Sequence, residues 1–200
     1  MKLIKPENLL SAADYEQQRT TIRRRIIDLK KRRRITVGDC VTLVFENRET
    51  VLFQIQEMLR TERIVAPEKI QEECDVYNAL LPGTDELSAT LYIEITEPEK
   101  IQERLDSLKG IDNPDIVAIS IGTEKIFANF EAGHSNEEKI SAVHFVRFAC
   151  NSNVRAQLAQ TGVSALLTTS HPNFQAEAPI PDDMRKEWLQ DLQQGVQQGS

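Results

Sequence analysis

Only three cysteines, three histidines and one tryptophan occur among the 200 residues. Cys40, Cys74 and Cys150 are far apart and form no C-x-x-C pair, which argues against a disulfide framework, a zinc ribbon and a self-contained four-cysteine cluster. No uninterrupted run of about 18 apolar residues is present, so no membrane span is expected. The opening "MKLIKPENLL" has its apolar part broken by Lys5, Pro6 and Glu7, unlike a secretory signal, and the expected location is cytoplasmic. Also missing are G-x-S-x-G, a P-loop, H-E-x-x-H and a dinucleotide fingerprint. The chain carries no familiar catalytic signature.

What it does have is an uneven distribution of charge. The net charge is -7, yet residues 19 to 34 hold nine of the 24 Lys and Arg and one of the 31 acids, which makes that stretch +8 and the remainder -15. The basic patch comprises Arg23, Arg24, Arg25, Lys30, Lys31, Arg32, Arg33 and Arg34, with Arg19 before it. Such asymmetry suits a nucleic-acid surface, or equally an internal or intersubunit neutralisation of the acidic remainder. Tyr15, Ile22, Ile26 and Leu29 recur at helical spacing through it, so the patch flanks the apolar seam of a helix opened by Ser11. The sequence pI of about 5.1 and the lack of any aromatic in residues 19 to 34 argue against nucleic acid.

At 40% hydrophobic residues, a chain of this length suffices for a single domain. "CVTLVFEN" predicts a strand, and "NRETVLFQIQEMLRTERI" a helix capped by Asn47. A further helix is expected from Pro67. In "LSATLYIEI" the alternation of Leu87, Ala89, Leu91 and Ile93 with Ser88, Thr90, Tyr92 and Glu94 predicts a half-covered strand. A helix from Thr96 to Gly110, two strands joined at Gly122, a central strand in "SAVHFVRFAC", a helix from Asn151, the strand "VSALLTT" and a helix anchored by Trp188 complete the order. The expected fold is α+β: residues 1–192 as one domain, with a mixed, mostly antiparallel sheet of five to six strands covered by about five helices, and a disordered polar tail at 193–200.

"LKKRRR", "FENRETVLFQIQEMLRTERI", "EECDVYNALLPG", "EEKISAVHFVRF" and the His171-Pro172 pair resemble an uncharacterised bacterial family of about 200 residues, a domain of unknown function. The matching positions are Arg32, Arg33, Arg34, Glu46, Arg48, Gln56, Glu57, Arg60, Arg63, Glu72, Tyr77, Asn78, Glu138, His144, Arg147 and His171, whereas "EAGHSN" departs from the pattern. The resemblance implies a redox or peroxide-stress setting, because such proteins are typically encoded beside rubrerythrin-like proteins and iron-sulfur oxidoreductases of the heterodisulfide-reductase type. It implies no activity.

The candidate ligand-binding residues are His144, Arg147, Glu57, Arg60, Arg63 and Arg48. Gln56, Glu57, Arg60 and Arg63 share one polar face of a helix, either as a surface ion-pair ladder or as an arginine fork for a carboxylate or phosphate. Glu57, Glu94, His144 and His171 offer the hard ligands that iron or manganese takes, though nothing local brings them together. Glu131-Ala-Gly-His134 has E-x-x-H spacing but contains Gly133 in a loop-like context. His144 is placed in a central strand, where an imidazole needs a partner, and Glu57 or Glu94 is the expected one. The cofactor is undetermined, with none expected to be covalently bound. The sequence is thus read as a non-catalytic partner or anionic-ligand-binding accessory of a redox system, with a rubrerythrin-like or iron-sulfur oxidoreductase partner and a homodimeric state. Two other readings stay open: a metal-dependent or acid-base enzyme centred on His144, and an RNA-binding protein using the helix at 19–34.

Overall fold

Ser11 starts the first helix, α1 (Ala12–Arg33), by accepting a hydrogen bond from the Asp14 amide at 3.1 Å. The computed structural model describes residues 1–131 and 140–196, with side chains as far as residue 193. The remaining helices are α2 (Arg48–Thr61), α3 (Pro67–Asn78), α4 (Ile101–Ser107), α5 (Ser152–Ala159) and α6 (Asp182–Val196). The strands are β1 (Arg34–Val37), β2 (Val41–Phe45), β3 (Glu86–Ile93), β4 (Val117–Ile121), β5 (Glu124–Phe127), β6 (Asn129–Phe130), β7 (Val143–Ala149), β8 (Ala165–His171) and β9 (Phe174–Pro179). Together they make one α+β domain. The expected caps at Asn47 and Asn151 both accept from the amide three residues on.

All strand pairings are antiparallel, in a five-stranded sheet of order β1-β2-β3-β7-β6 and a four-stranded sheet of order β5-β4-β8-β9. The two sheets share one core, in which Leu43, Leu91, Val146 and Phe148 of the first meet Val117, Ile119 and Leu167 of the second. Helix α6 completes that core with Met184, Trp188 and Leu192, and the Trp188 ring lies 4.4 Å from that of Phe45. Strand count is where the sequence reading falls short: β1 and β9 were not expected, the second strand after Gly122 divides into β5 and β6 of different sheets, and nine strands form two sheets rather than one. Four-residue β1 reads as a helix-to-turn connection, and the Gln, Ala, Glu and Pro of β9 carry little strand propensity. Helix α6 runs to Val196, into the stretch read as a tail. Residues 197–200 lie outside the described residues, as do His134 and Glu138.

The second face of the five-stranded sheet is also covered, which corrects the half-covered reading of β3. Ser88 and Thr90 are buried. Phe145, directly across from Thr90, packs on a second apolar cluster formed by Val51, Ile55, Leu59, Cys74, Leu80 and Leu81 of α2, α3 and the turn after α3. Between helices and sheet sits Glu46, 2% exposed, which accepts hydrogen bonds from the hydroxyls of Thr50 (2.5 Å) and Thr90 (2.9 Å) and from the Gln54 amide (3.0 Å). These donors satisfy a buried carboxylate without a cation.

The basic stretch is divided by the same packing. Tyr15, Ile26 and Leu29 turn inward with Arg33, while Ile22 is half-buried. Arg33 is 1% exposed and grips both oxygens of Asp191 on α6, at 2.8 and 3.0 Å, with Glu187 at 3.0 Å. Arg32 pairs with Glu187, Arg34 with Glu94, Arg25 with Glu49 and Lys31 with Asp28. The second face of β3 and most cations of the stretch are thus engaged within one chain.

Candidate functional site

Gln56 and Arg60 of α2, with Arg63 two residues beyond its end, line a groove of about 510 Å³ between the start of α1, the end of α2 and the start of α3, so the helical face expected to carry Arg63 stops short of it. Its apolar lining comes from Leu10, Tyr15, Leu59, Ile64, Val65 and Ile70. Gln56 fixes one wall, because its side-chain amide exchanges hydrogen bonds with the Leu10 backbone, at 3.0 Å from the Leu10 amide and 3.2 Å to its carbonyl. Arg63 also lines the groove. This residue has φ 54°, the left-handed conformation that lets the Ile64 amide reach back 2.9 Å to the Leu59 carbonyl and stop α2. A residue with a Cβ is strained there.

Charges around the groove are arranged in two levels. Glu57 lies deeper, with one oxygen accepting from the Tyr15 hydroxyl (2.6 Å) and Arg19 Nε (2.8 Å) and the other from Arg19 Nη2 (2.7 Å). The Arg19 hydrogen bonds hold its carboxyl below the ordinary value of 4.5, with help from Tyr15 and against partial burial. Tyr15 is pushed the other way, first by burial and then by its bond to Glu57. At the rim, Arg60 donates to Glu16 at 2.7 Å. Arg63 is exposed, and among the described residues no carboxylate lies within ion-pair distance of it.

The other sequence candidates lie elsewhere. Arg48 ties the N-terminal segment down through the Lys2 carbonyl (3.3 Å) and Asn8 Oδ1 (2.9 Å). Arg147 pairs with Glu86 and donates to the carbonyls of Ala79 and Leu81, which locks the turn after α3 onto β3 and β7. His144 is 1% exposed, with Nε2 2.8 Å from the Ser141 carbonyl oxygen and its ring edge-on to Phe130. The expected carboxylate partners are committed elsewhere: Glu57 as above, and Glu94 to Thr42 (2.7 Å) and Arg34 (2.6 Å). The turn that places Ser141 beside its own strand was invisible in the pattern. His171 accepts at Nδ1 from the Asn173 amide (3.2 Å), and its Nε2 is 2.9 Å from the Lys109 carbonyl, so the Nε2-H tautomer satisfies both. Glu57, Glu94, His144 and His171 thus serve four separate hydrogen-bond sets. Among the described residues no group of three His, Cys, Asp or Glu could hold a metal ion.

All three thiols are buried. Burial pushes the Cys40 thiol up to about 11 and the Cys150 thiol to about 12, and raises Cys74 as well. Each is kept from the thiolate form that reacts.

Residues 3–192 match a family described as "Protein of unknown function (DUF3501)". The chain belongs to this family. A crystal structure of a novel protein of unknown function from Burkholderia pseudomallei is 32% identical to it, with a TM-score of 0.87 over 96% of this chain and 100% of that one. No curated protein matches. Within this DUF3501 chain, sequence reasoning found the polar face of α2 but missed Tyr15, Arg19 and the apolar walls. The available signal was Arg19 one turn after Tyr15 at the head of the α1 seam.

Proposed function

We propose that the protein is a non-catalytic accessory that binds an amphipathic anion in the groove between α1, α2 and α3. The observation that carries this is Arg63, a cation without a carboxylate partner among the described residues, held by a strained backbone at the mouth of an apolar groove. The apolar lining would take a hydrocarbon or aromatic body, and Arg63 would take its carboxylate, sulfonate or phosphate. Arg60 is available as a second donor once it exchanges Glu16 for the ligand. The Tyr15-Glu57-Arg19 set braces the α1 wall. The family resemblance supports a cytoplasmic redox or peroxide-stress setting, beside a rubrerythrin-like protein or an iron-sulfur oxidoreductase.

Titration with 8-anilinonaphthalene-1-sulfonate, an aromatic anion that brightens in apolar surroundings, tests the site. Saturable binding is expected, weakened about tenfold, or roughly 1.4 kcal/mol, by Arg63→Glu. Glu16→Gln is expected to tighten it, because that change releases Arg60. Equal affinity in all three proteins would remove the groove as an anion site.

A further inference from the structure

One face of α1 takes no part in the packing. Thr20, Arg23, Arg24, Ile27, Asp28 and Lys31 fall at i, i+3, i+4, i+7, i+8 and i+11 and form a single outward stripe, opposite the buried Tyr15, Ile26, Leu29 and Arg33. These six residues, with Arg19 beside them, line one open surface depression. Ile27 lies at its middle and is 40% exposed. Arg23 and Arg24 are exposed, and among the described residues no carboxylate pairs with either, although acids outnumber bases in the chain. Most other cations of the stretch found acids within the fold, as described above.

We propose that this stripe is a docking surface for an acidic amphipathic helix of a different protein. An apolar anchor flanked by cations is the arrangement of a small interface hot spot, in which Ile27 would be desolvated and Arg23 and Arg24 would pair with carboxylates around it. The stripe is straight and about 17 Å long at 1.5 Å per residue, which suits a partner helix of three turns or more. Charge also selects the partner. A second copy docking by the same face would set Arg23 and Arg24 against their own equivalents, a like-charge contact that disfavours an isologous dimer here. Nucleic acid is served less well, because the stripe offers an aliphatic anchor at Ile27 and no aromatic for base stacking.

The test uses the full chain and two labelled probes, a helical peptide built of Glu and Leu at amphipathic spacing and a single-stranded RNA of similar charge. Fluorescence anisotropy at about 50 mM salt should show the peptide bound and the RNA weaker, with peptide affinity falling as salt is raised. The variant Arg23→Glu/Arg24→Glu should weaken peptide binding at least about tenfold, and Ile27→Ser severalfold. Lys125→Glu, which removes a cation lying over the Phe127 ring instead, should leave it unchanged. All four positions lie at the surface, and circular dichroism confirms that the variants are folded. RNA bound more tightly than peptide, or peptide binding indifferent to Arg23, Arg24 and Ile27, overturns the proposal. The groove and the stripe share no residue that is substituted in either test, so either can fail without the other.

Discussion

Glu57 shows how one side chain holds a wall in place. Its carboxylate is half enclosed, takes three donors and stays ionised below the ordinary 4.5, chiefly through Arg19. In the unfolded chain it takes up a proton as pH falls through 4.5, while the folded carboxylate does so only at lower pH. Between those values the unfolded state binds more protons, so this contribution to stability is complete above pH 4.5 and is lost as pH falls through the folded value. Glu57→Gln should therefore cost about 1 to 2 kcal/mol at pH 7 by urea denaturation, and the gap between the two proteins should shrink near pH 4. A gap that widens on acidification would contradict the depressed carboxyl. The same scale shows why a residue's type does not reveal its role. Arg34 and Arg33 are neighbours in one basic run, yet one is exposed and the other is the second-largest fully buried side chain.

At the scale of elements, caps and turns are local, and here they were legible. Ser11, Asn47 and Asn151 accept from the third amide of their helices, as their sequence contexts indicate. Gly38, in the turn between β1 and β2, carries a second constraint that no local pattern reveals. A Cβ there would come within 2.5 Å of the Phe174 ring on β9, an unexpected strand of the other sheet, in addition to the cost of φ +65°. Gly162, at φ +84°, has open space around it. Gly162→Ala is expected to cost about 1 kcal/mol for the left-handed backbone alone, and Gly38→Ala at least roughly twice that, because the Phe174 ring must also move. Thermal melts of the two variants decide it, and equal losses would mean that the ring yields freely.

For the whole molecule, the contact between Arg33 and Asp191 joins the end of the first helix to the last helix across 158 positions. Burial raises the Asp191 carboxyl even though Arg33 opposes the shift. Arg33→Met strands Asp191 in the core and should cost about 3 to 5 kcal/mol, whereas Asp191→Leu leaves Arg33 its contact with Glu187 and should cost less. The double variant should recover much of that loss, since an apolar pair of similar volume replaces both charges and Glu187 keeps Arg32. Chemical denaturation of the four proteins checks this, and a double variant as unstable as the sum of the singles would show that the pair does more than neutralise itself.

Several features of this chain were determined by its sequence alone: the α+β class, the helix starts at Ser11, Asn47 and Asn151, the alternation in β7, the Trp188 anchor and the inward seam of α1. Each was readable from residue type, spacing or capping chemistry within a short stretch. Tertiary structure decided which arginine is buried, that Glu94 and Glu57 serve Arg34 and Arg19 rather than His144, that two sheets share one core, and that a groove opens beneath Arg63. Those outcomes depend on charges and strands distant in sequence meeting across a packed interior, where every buried polar group must find its partner, and no local pattern names that partner.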